Sequence, residues 1–161
     1  MKQVLQNMKT GETRVEEVPV PQVGQGTALI KTSASLVSAG TERMLVEFAR
    51  QSLAGKAKSL PDMVRQVLNK AQREGLLTTI DAAMNKLDQP MALGYASAGT
   101  IIEVGQDLER FKVGDRVACG GGGHAVHAEF AAIPKNLMVP IPESVDFEAA
   151  AFTTIGAIAM Q

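Results

Sequence analysis

The chain has 161 residues, of which 45% are hydrophobic and 20% charged, and its formal net charge is −1. This length suits one domain with a substantial hydrophobic core and is short for two full-sized domains. The near-neutral charge argues against a nucleic-acid-binding protein, because such proteins usually carry a clear excess of Lys and Arg.

The cysteine count and the apolar pattern bear on where the protein works. The single cysteine, Cys119, excludes an intramolecular disulfide and favours a reducing compartment. The first residues lack the apolar run of a signal peptide, and no stretch of about 20 apolar residues predicts a membrane-spanning helix. We therefore expect a cytoplasmic protein that has no membrane contact.

The first 40 residues predict β structure. Short strands are expected over 4–8 and 13–18, with a turn at Gly11 between them. Pro and Gly residues mark a loop over 19–26. A longer strand is expected over 28–37.

The middle of the chain changes to a helical period. Apolar residues recur at helical spacing from Met44 to Ala49, and Gly55 is expected to end that helix. Pro61 suits the first turn of a second helix, and residues 79–87 predict a third. The basic residues of this zone form either a solvated helical face or a surface that attracts an anionic partner: Lys56, Lys58, Arg65, Lys70 and Arg73.

The last zone returns to β structure. Strands are expected over 98–104, 128–133 and 137–141, and the Gly-Asp pair within 111–117 predicts a hairpin or a corner. Many short strands broken by Gly and Pro are typical of a closed or partly closed barrel. The apolar segment 149–160 should pack on this domain's core or on a following domain, and we expect the chain to be cut there.

Four motifs occur in a fixed order along the chain. They are AGTE (39–42), LGYASAG (93–99), GTIIEVGQDLERFKVGDRV (99–117) and AEFAAIPKNLMVPIPESVDFEAAAF (128–152). Together they resemble the N-terminal part of the medium-chain dehydrogenase/reductase family, also called the zinc-type alcohol dehydrogenase family. The resemblance implies a mainly β fold, a GroES-like partly open barrel over 1–150, that binds the substrate. Residues 151–161 would then begin the connection to a Rossmann domain that binds NAD(P).

The resemblance breaks at the metal site. In zinc members of the family, a Cys and a His of the first two motifs bind the catalytic zinc, and here Ala39 and Tyr95 stand at those positions. The nearby family Glu is replaced by Ala96, and the lobe of four cysteines that holds a structural zinc is missing. Alanine has no lone pair, and a neutral phenol is a poor zinc ligand. We therefore expect no zinc and a closer similarity to quinone-reductase-like members.

The helical zone is a second departure. The family usually spans the distance between its first two motifs with fewer residues, so 41–90 is interpreted as a helical insertion that caps the substrate cleft. The stretch SAGTERML (38–45) resembles a group of bacterial two-module oxidoreductases. That group often accompanies surface-polysaccharide genes, which implies a sugar-derived substrate.

The family motifs also imply roles for individual residues. Thr41 matches a family hydroxyl that relays a proton to or from the substrate oxygen, although it could simply cap the following helix. Tyr95 could donate a hydrogen bond to a substrate carbonyl, or it could fill a dead metal site. Glu42 either orients the cleft or pairs at the surface with a cation such as Arg43. Two further residues lie where the family chain approaches the nicotinamide, and they could instead be buried hinge-helix residues: Thr153 and Thr154.

One more group of residues could hold a metal ion. Cys119, His124 and His127 are the soft ligands of the chain, but their spacing is not a standard zinc arrangement. The alternative is a flexible turn with exposed imidazoles. The glycines at 120–123 could cradle a phosphate through their N–H groups or could form a mobile loop.

These features favour the substrate-binding domain of an NAD(P)-dependent oxidoreductase. It would transfer hydride to or from an alcohol, a carbonyl or an activated double bond, without catalytic zinc. Two alternatives remain open, a non-enzymatic GroES-like binding or oligomerisation module and a catalytically dead regulatory domain. The expected partners are a small-molecule substrate and possible further copies of the chain. Because no G-x-G-x-x-G fingerprint is present, we expect residues 1–161 alone to bind NAD(P)H weakly and to show no turnover.

Overall fold

A computed structural model describes residues 1–62, 64–65, 67, 69, 81 and 84–161. The described residues form short strands and a few helices. The strands are β1 (Lys2–Gln6), β2 (Thr13–Glu17), β3 (Thr27–Ser35), β4 (Met91–Ala92), β5 (Ala96–Val104), β6 (Arg116–Gly120), β7 (Phe130–Pro134) and β8 (Met138–Pro140). The helices with defined bounds are α1 (Thr41–Arg50), α2 (Leu53–Ser59), α3 (Phe147–Ala150) and α4 (Thr153–Ala159), and Lys135–Leu137 form a 3-10 turn.

The strands form two sheets. Five of them pair in the order β7-β3-β5-β6-β8, with every neighbouring pair antiparallel. The other three pair in the order β2-β1-β4. Within the described ranges the strands do not close into a single barrel. The predicted mainly β fold with a partly open arrangement is confirmed.

The chain divides into two compact units. Unit 1 contains residues 1–4, 15–38 and 92–161, and unit 2 contains residues 5–14 and 39–91. Unit 1 therefore holds the whole five-stranded sheet together with α3 and α4, and unit 2 holds α1 and α2.

The core of unit 1 lies on both faces of the five-stranded sheet. On β6, Val117 and Cys119 belong to one buried cluster, and Ala118 between them belongs to the other. This alternation is the period of two that a strand imposes on its side chains. The first cluster also contains Ile30 and Ile101, and burying each such side chain contributes about 1.5 to 3 kcal/mol. Because both faces are covered, β6 is nearly continuously apolar.

The second cluster is closed by the segment that leads into α3. Asp146 caps this helix, since its Oδ1 accepts a hydrogen bond of 2.6 Å from the Ala149 N–H. Arg116 of β6 holds the preceding turn by donating to the Val145 carbonyl at 2.6 Å. Its guanidinium also lies 4.5 Å from the centre of the Phe147 ring, a cation–π distance.

In unit 2, the break between the first two helices differs from the prediction. Gly55 was expected to end the first helix, but it lies inside α2, and α1 ends at Arg50. Gln51 takes an extended conformation, and Ser52 then caps α2 by accepting a hydrogen bond from the Gly55 N–H at 3.2 Å. The Ser52 cap satisfies a helical N–H that would otherwise lack a partner, and so it favours a helix that begins at Leu53 and includes Gly55.

Lys56 also departs from the prediction of a solvated basic face. Its side chain is buried, and its Nζ donates to the Lys9 carbonyl at 3.3 Å within unit 2. Lys58 and Arg65 are exposed, as that prediction requires. Lys70 and Arg73 lie outside the described residues.

The later helical predictions are described in part. Residues 61–62, 64–65, 67 and 69 are helical, and so are residues 81 and 84–88. The predicted start of the third helix at Thr79 lies outside the described residues. The proposed cap over the substrate cleft stays a prediction.

Gly99 provides a direct test of the close pairing between β3 and β5. A Cβ atom at this position of β5 would lie 2.2 Å from the Lys31 carbonyl oxygen of β3. We expect Gly99→Ala to lower the free energy of unfolding by about 3 kcal/mol or more, because backbone rather than a flexible side chain would have to move. Gly122→Ala is the matched control, since that Cβ would meet no atom within 4 Å. Equal urea-unfolding midpoints for the two variants would contradict the β3–β5 register.

Candidate functional site

Tyr95 lies in a turn that leads directly into β5. Its side chain is half-buried, and Gly94 before it has a φ of +99°, which a residue with a side chain rarely adopts. The Tyr95 carbonyl accepts a hydrogen bond of 2.9 Å from the Gly121 N–H. The next residue, Ala96, pairs with Gly120 of β6. The backbone of Tyr95 is thus fixed against the end of the neighbouring strand.

Thr154 of α4 approaches the same end of β6. A Cβ atom at Gly120 would lie only 2.8 Å from the Thr154 Oγ1, so glycine is what allows this close approach. Thr153 is exposed, and its hydroxyl donates to the Ala150 carbonyl at 2.7 Å. The alternative that both threonines are buried is wrong, since Thr154 is half-buried and Thr153 is open to solvent.

The residues of the AGTE motif (39–42) belong to unit 2. Ala39 is exposed, and Thr41 is the exposed first residue of α1. Gly40 occupies the N-cap position of that helix, so Thr41 does not take the capping role that the sequence left open. Unit 1 brings together Tyr95, Ala96, Thr153 and Thr154, and unit 2 holds Ala39, Thr41 and Glu42.

Glu42 is buried, with 6% of its surface exposed. The Arg43 Nε donates to Glu47 at 2.7 Å, one helical turn further along α1. The role of Glu42, in the cleft or in a pair with Arg43 or another cation, stays a prediction. A carboxylate held out of water needs compensating polar contacts.

The candidate metal ligands do not form a group. Cys119 is buried in β6, His124 is exposed, and His127 is half-buried with its Nδ1 at 2.9 Å from the Ser35 Oγ. Burial raises the pKa of the Cys119 thiol to about 12, which opposes the thiolate form that binds zinc. In the part of the chain that the structure describes, no three His, Cys, Asp or Glu side chains are grouped to hold a metal ion.

The donors available for zinc at the family position were also tested. Ala96 is fully buried in β5 and ends in a methyl group, and Ala39 offers no donor atom either. Tyr95 could contribute only a phenol. These residues do not fit a zinc ion.

Two contacts of this site had no signal in the sequence. Ser35 looked like an ordinary strand residue, and its bond to His127 joins residues 92 positions apart. Gly121 carries the N–H that fixes Tyr95, whereas the glycine run suggested only a loop or a phosphate cradle. Gly94 did stand within a recognisable motif, LGYASAG.

The fold agrees with what comparison with known proteins shows. Residues 68–143 match the alcohol dehydrogenase GroES-like domain. This match and the relatives below support a member of the medium-chain dehydrogenase/reductase family. A quinone oxidoreductase of Pseudomonas aeruginosa is 36% identical over 72 residues, which cover 45% of this chain and 22% of the relative. An L-threonine 3-dehydrogenase of Rhizobium etli is 26% identical over 163 residues, which cover 85% of this chain and 38% of the relative.

Solved structures of the family share the fold. The quinone oxidoreductase from Coxiella burnetii superposes with a TM-score of 0.63 at 19% identity, covering 99% of this chain and 44% of that one. The Escherichia coli quinone oxidoreductase complexed with NADPH gives a TM-score of 0.62 at 13% identity, covering 95% of this chain and 37% of that one. The chain thus spans less than half the length of these relatives. Among the described residues, each helix is too short or too polar to cross a bilayer.

The raised pKa of Cys119 predicts an unreactive thiol. At pH 8 the native chain should react with a disulfide reagent about 1,000-fold more slowly than the urea-unfolded chain, because so little thiolate is present and access is blocked. The absorbance of the released thiol measures both rates. Similar rates in the two states would mean that Cys119 is accessible and ionised in the fold.

Proposed function

We propose that this chain is the substrate-binding domain of an NAD(P)-dependent oxidoreductase that works without catalytic zinc. It would transfer hydride to or from an alcohol, a carbonyl or an activated double bond. The observation that carries the proposal is the fixed turn at Tyr95, which presents a phenol at the motif position where zinc members of the family have a metal-binding His. The NADPH complex of the Escherichia coli relative supports the cofactor.

The Tyr95 phenol takes the place of a Lewis acid in this proposal. When hydride adds to a carbonyl, negative charge develops on the oxygen, and a hydrogen bond from a prearranged donor stabilises that charge. The phenol O–H is such a donor, and the Gly121 N–H bond to the Tyr95 carbonyl holds its backbone in place. In the reverse direction, the same phenol would hydrogen-bond to the oxygen of an alcohol.

Thr41 is proposed as the proton relay. A hydroxyl both donates and accepts hydrogen bonds, so it can pass a proton between the substrate oxygen and solvent. Thr41 is exposed at the first residue of α1, and Glu42 beside it is buried.

The nicotinamide cofactor supplies the hydride when it is bound. Thr153 fits one of its groups, because its hydroxyl already donates to the Ala150 carbonyl and keeps lone pairs that can accept from a carboxamide N–H₂. Thr154 is proposed to hold α4 beside Gly120 and so to set the position of Thr153. Most of the cofactor contacts are assigned to a nucleotide-binding domain outside this chain.

A second candidate function rests on the exposed apolar residues of the last segment. Phe152, Ile158 and Met160 are 55%, 63% and 90% exposed, which favours contact with another protein surface. Such contact fits a following domain, and it also fits a non-enzymatic binding or oligomerisation module or a catalytically dead regulatory domain. A small-molecule substrate, a cytoplasmic location and self-association are part of the main proposal.

The proposal predicts the effect of two hydroxyl deletions in the full-length product of the gene. Tyr95→Phe should lower kcat by about 100-fold to 1,000-fold, since one stabilising donor is lost. Thr41→Val should lower kcat by about 100-fold or more, since proton transfer is impaired. Both are measured as NAD(P)H oxidation with a panel of quinones, aldehydes and ketones.

Ser144→Ala is the matched control, because it removes an exposed hydroxyl away from these residues. Its kcat should equal that of the unmodified enzyme. If no member of the panel is reduced, the binding or regulatory alternative is favoured. If both hydroxyl deletions leave kcat unchanged in an active enzyme, the assigned roles are wrong.

A further inference from the structure

We propose that His127, held by Ser35, is a positioning residue that sets the direction of the Tyr95 side chain. The catalytic value of this arrangement rests on the proposed function, but the arrangement itself is a property of unit 1 alone. Three contacts connect Ser35, through His127 and Gly94, to Tyr95.

The first contact is between His127 and the turn before Tyr95. The His127 N–H donates to the Leu93 carbonyl at 2.8 Å. The imidazole ring lies against Gly94, because a Cβ atom built there would be 3.1 Å from two ring carbons. The same Cβ atom would also be 2.7 Å from the His127 backbone nitrogen. The ring therefore occupies the space that any side chain at residue 94 would need, and it packs against that side of the turn.

The second contact fixes the ring itself. The His127 Nδ1 lies 2.9 Å from the Ser35 Oγ, a hydrogen-bond distance. Ser35 ends β3 and pairs with Ser97 of β5, so it belongs to the same sheet that continues from Tyr95. A register shift between Thr32 and Ala34 precedes it, and such irregularities re-aim the side chains that follow.

The third contact lies on the other side of the turn. The Gly121 N–H donates to the Tyr95 carbonyl at 2.9 Å. The Gly94–Tyr95 turn is thus held by a backbone donor of the glycine loop at Tyr95 and by a ring held from β3 at Gly94. With the ring removed, the Gly94–Tyr95 turn would lose its packing on that side, and we expect the phenol to sample more than one direction.

The backbone bonds of His127 are independent of its side chain. Its carbonyl accepts from the Val4 N–H at 2.9 Å, and its own N–H reaches Leu93. Side-chain variants of His127 keep these backbone bonds, so the fold should survive. They lose only the packing of the ring on Gly94 or the hydrogen bond to Ser35. This separation lets positioning be distinguished from stability.

The composition of the chain provides the reporter. It contains one tyrosine and no tryptophan, so tyrosine emission and the tyrosine ring resonances in proton NMR arise from Tyr95 alone. Three variants of the 161-residue chain separate the packing of the ring on Gly94 from the hydrogen bond to Ser35. Ser35→Ala removes the bond and keeps the ring, His127→Phe keeps a ring without the bond, and His127→Asn keeps an amide able to bond Ser35 without the ring.

His124→Phe is the matched control, because His124 is exposed on the same loop three residues earlier. All variants should keep the far-ultraviolet circular dichroism of the unmodified chain. We expect Tyr95 ring resonances and emission to change in Ser35→Ala, His127→Phe and His127→Asn and to stay the same in His124→Phe. In the full-length gene product, His127→Asn should lower kcat about 10-fold to 100-fold with little change in the KM for NAD(P)H.

Unchanged Tyr95 signals in folded Ser35→Ala and His127→Asn would overturn the positioning role. If His127 variants fail to fold, Ser35→Ala decides the question by itself, since it removes one exposed hydroxyl. Changed Tyr95 signals with an unchanged kcat would support the positioning of Tyr95 and overturn its catalytic role, so the two proposals fail in distinguishable ways.

Discussion

The structure of unit 1 depends on β5, whose backbone pairs with β3 on one side and with β6 on the other. Gly99 makes the β3 side possible, because the Lys31 carbonyl leaves no space for a Cβ atom there. The pairing of β5 with β6 places Ala96 beside Gly120, so the first residue of β5 lies beside the last residue of β6. Tyr95 and Thr154 both gather at this point because glycine permits close approach. The proposed chemistry is therefore a consequence of how one strand is paired.

Much of this fold could be predicted from the sequence. Alternating apolar residues and turn residues predicted β2, β3, β5 and β7 within a few positions, since a half-buried strand shows its period directly. The strand β6 was not recognised as one, because burial on both faces removes the alternation and its last residue begins the glycine run. Gly55 was predicted to end a helix but lies inside α2. The Ser52 cap sets the start of α2, and the apolar pattern does not reveal it.

The candidate site was predicted less completely. Tyr95, Ala39 and Ala96 could be singled out because a family motif gives each a position to compare. Ser35 could not, since its partner is 92 residues away and no local pattern encodes a contact of that range. Burial was equally hidden at Lys56 and Glu42, two charged residues that local patterns assign to the surface. Such contacts follow from the tertiary arrangement.

We propose that this chain binds substrate for hydride transfer without zinc, with a phenol in place of the metal. Ala39 and Ala96 provide no metal-binding atoms, and Cys119 is held as a buried thiol. The most direct test is the zinc content and NAD(P)H-dependent activity of the full-length gene product, measured together after dialysis against a chelator. We expect the activity to persist when the zinc content is near zero. Activity that disappears with the zinc and returns when zinc is added back would contradict it.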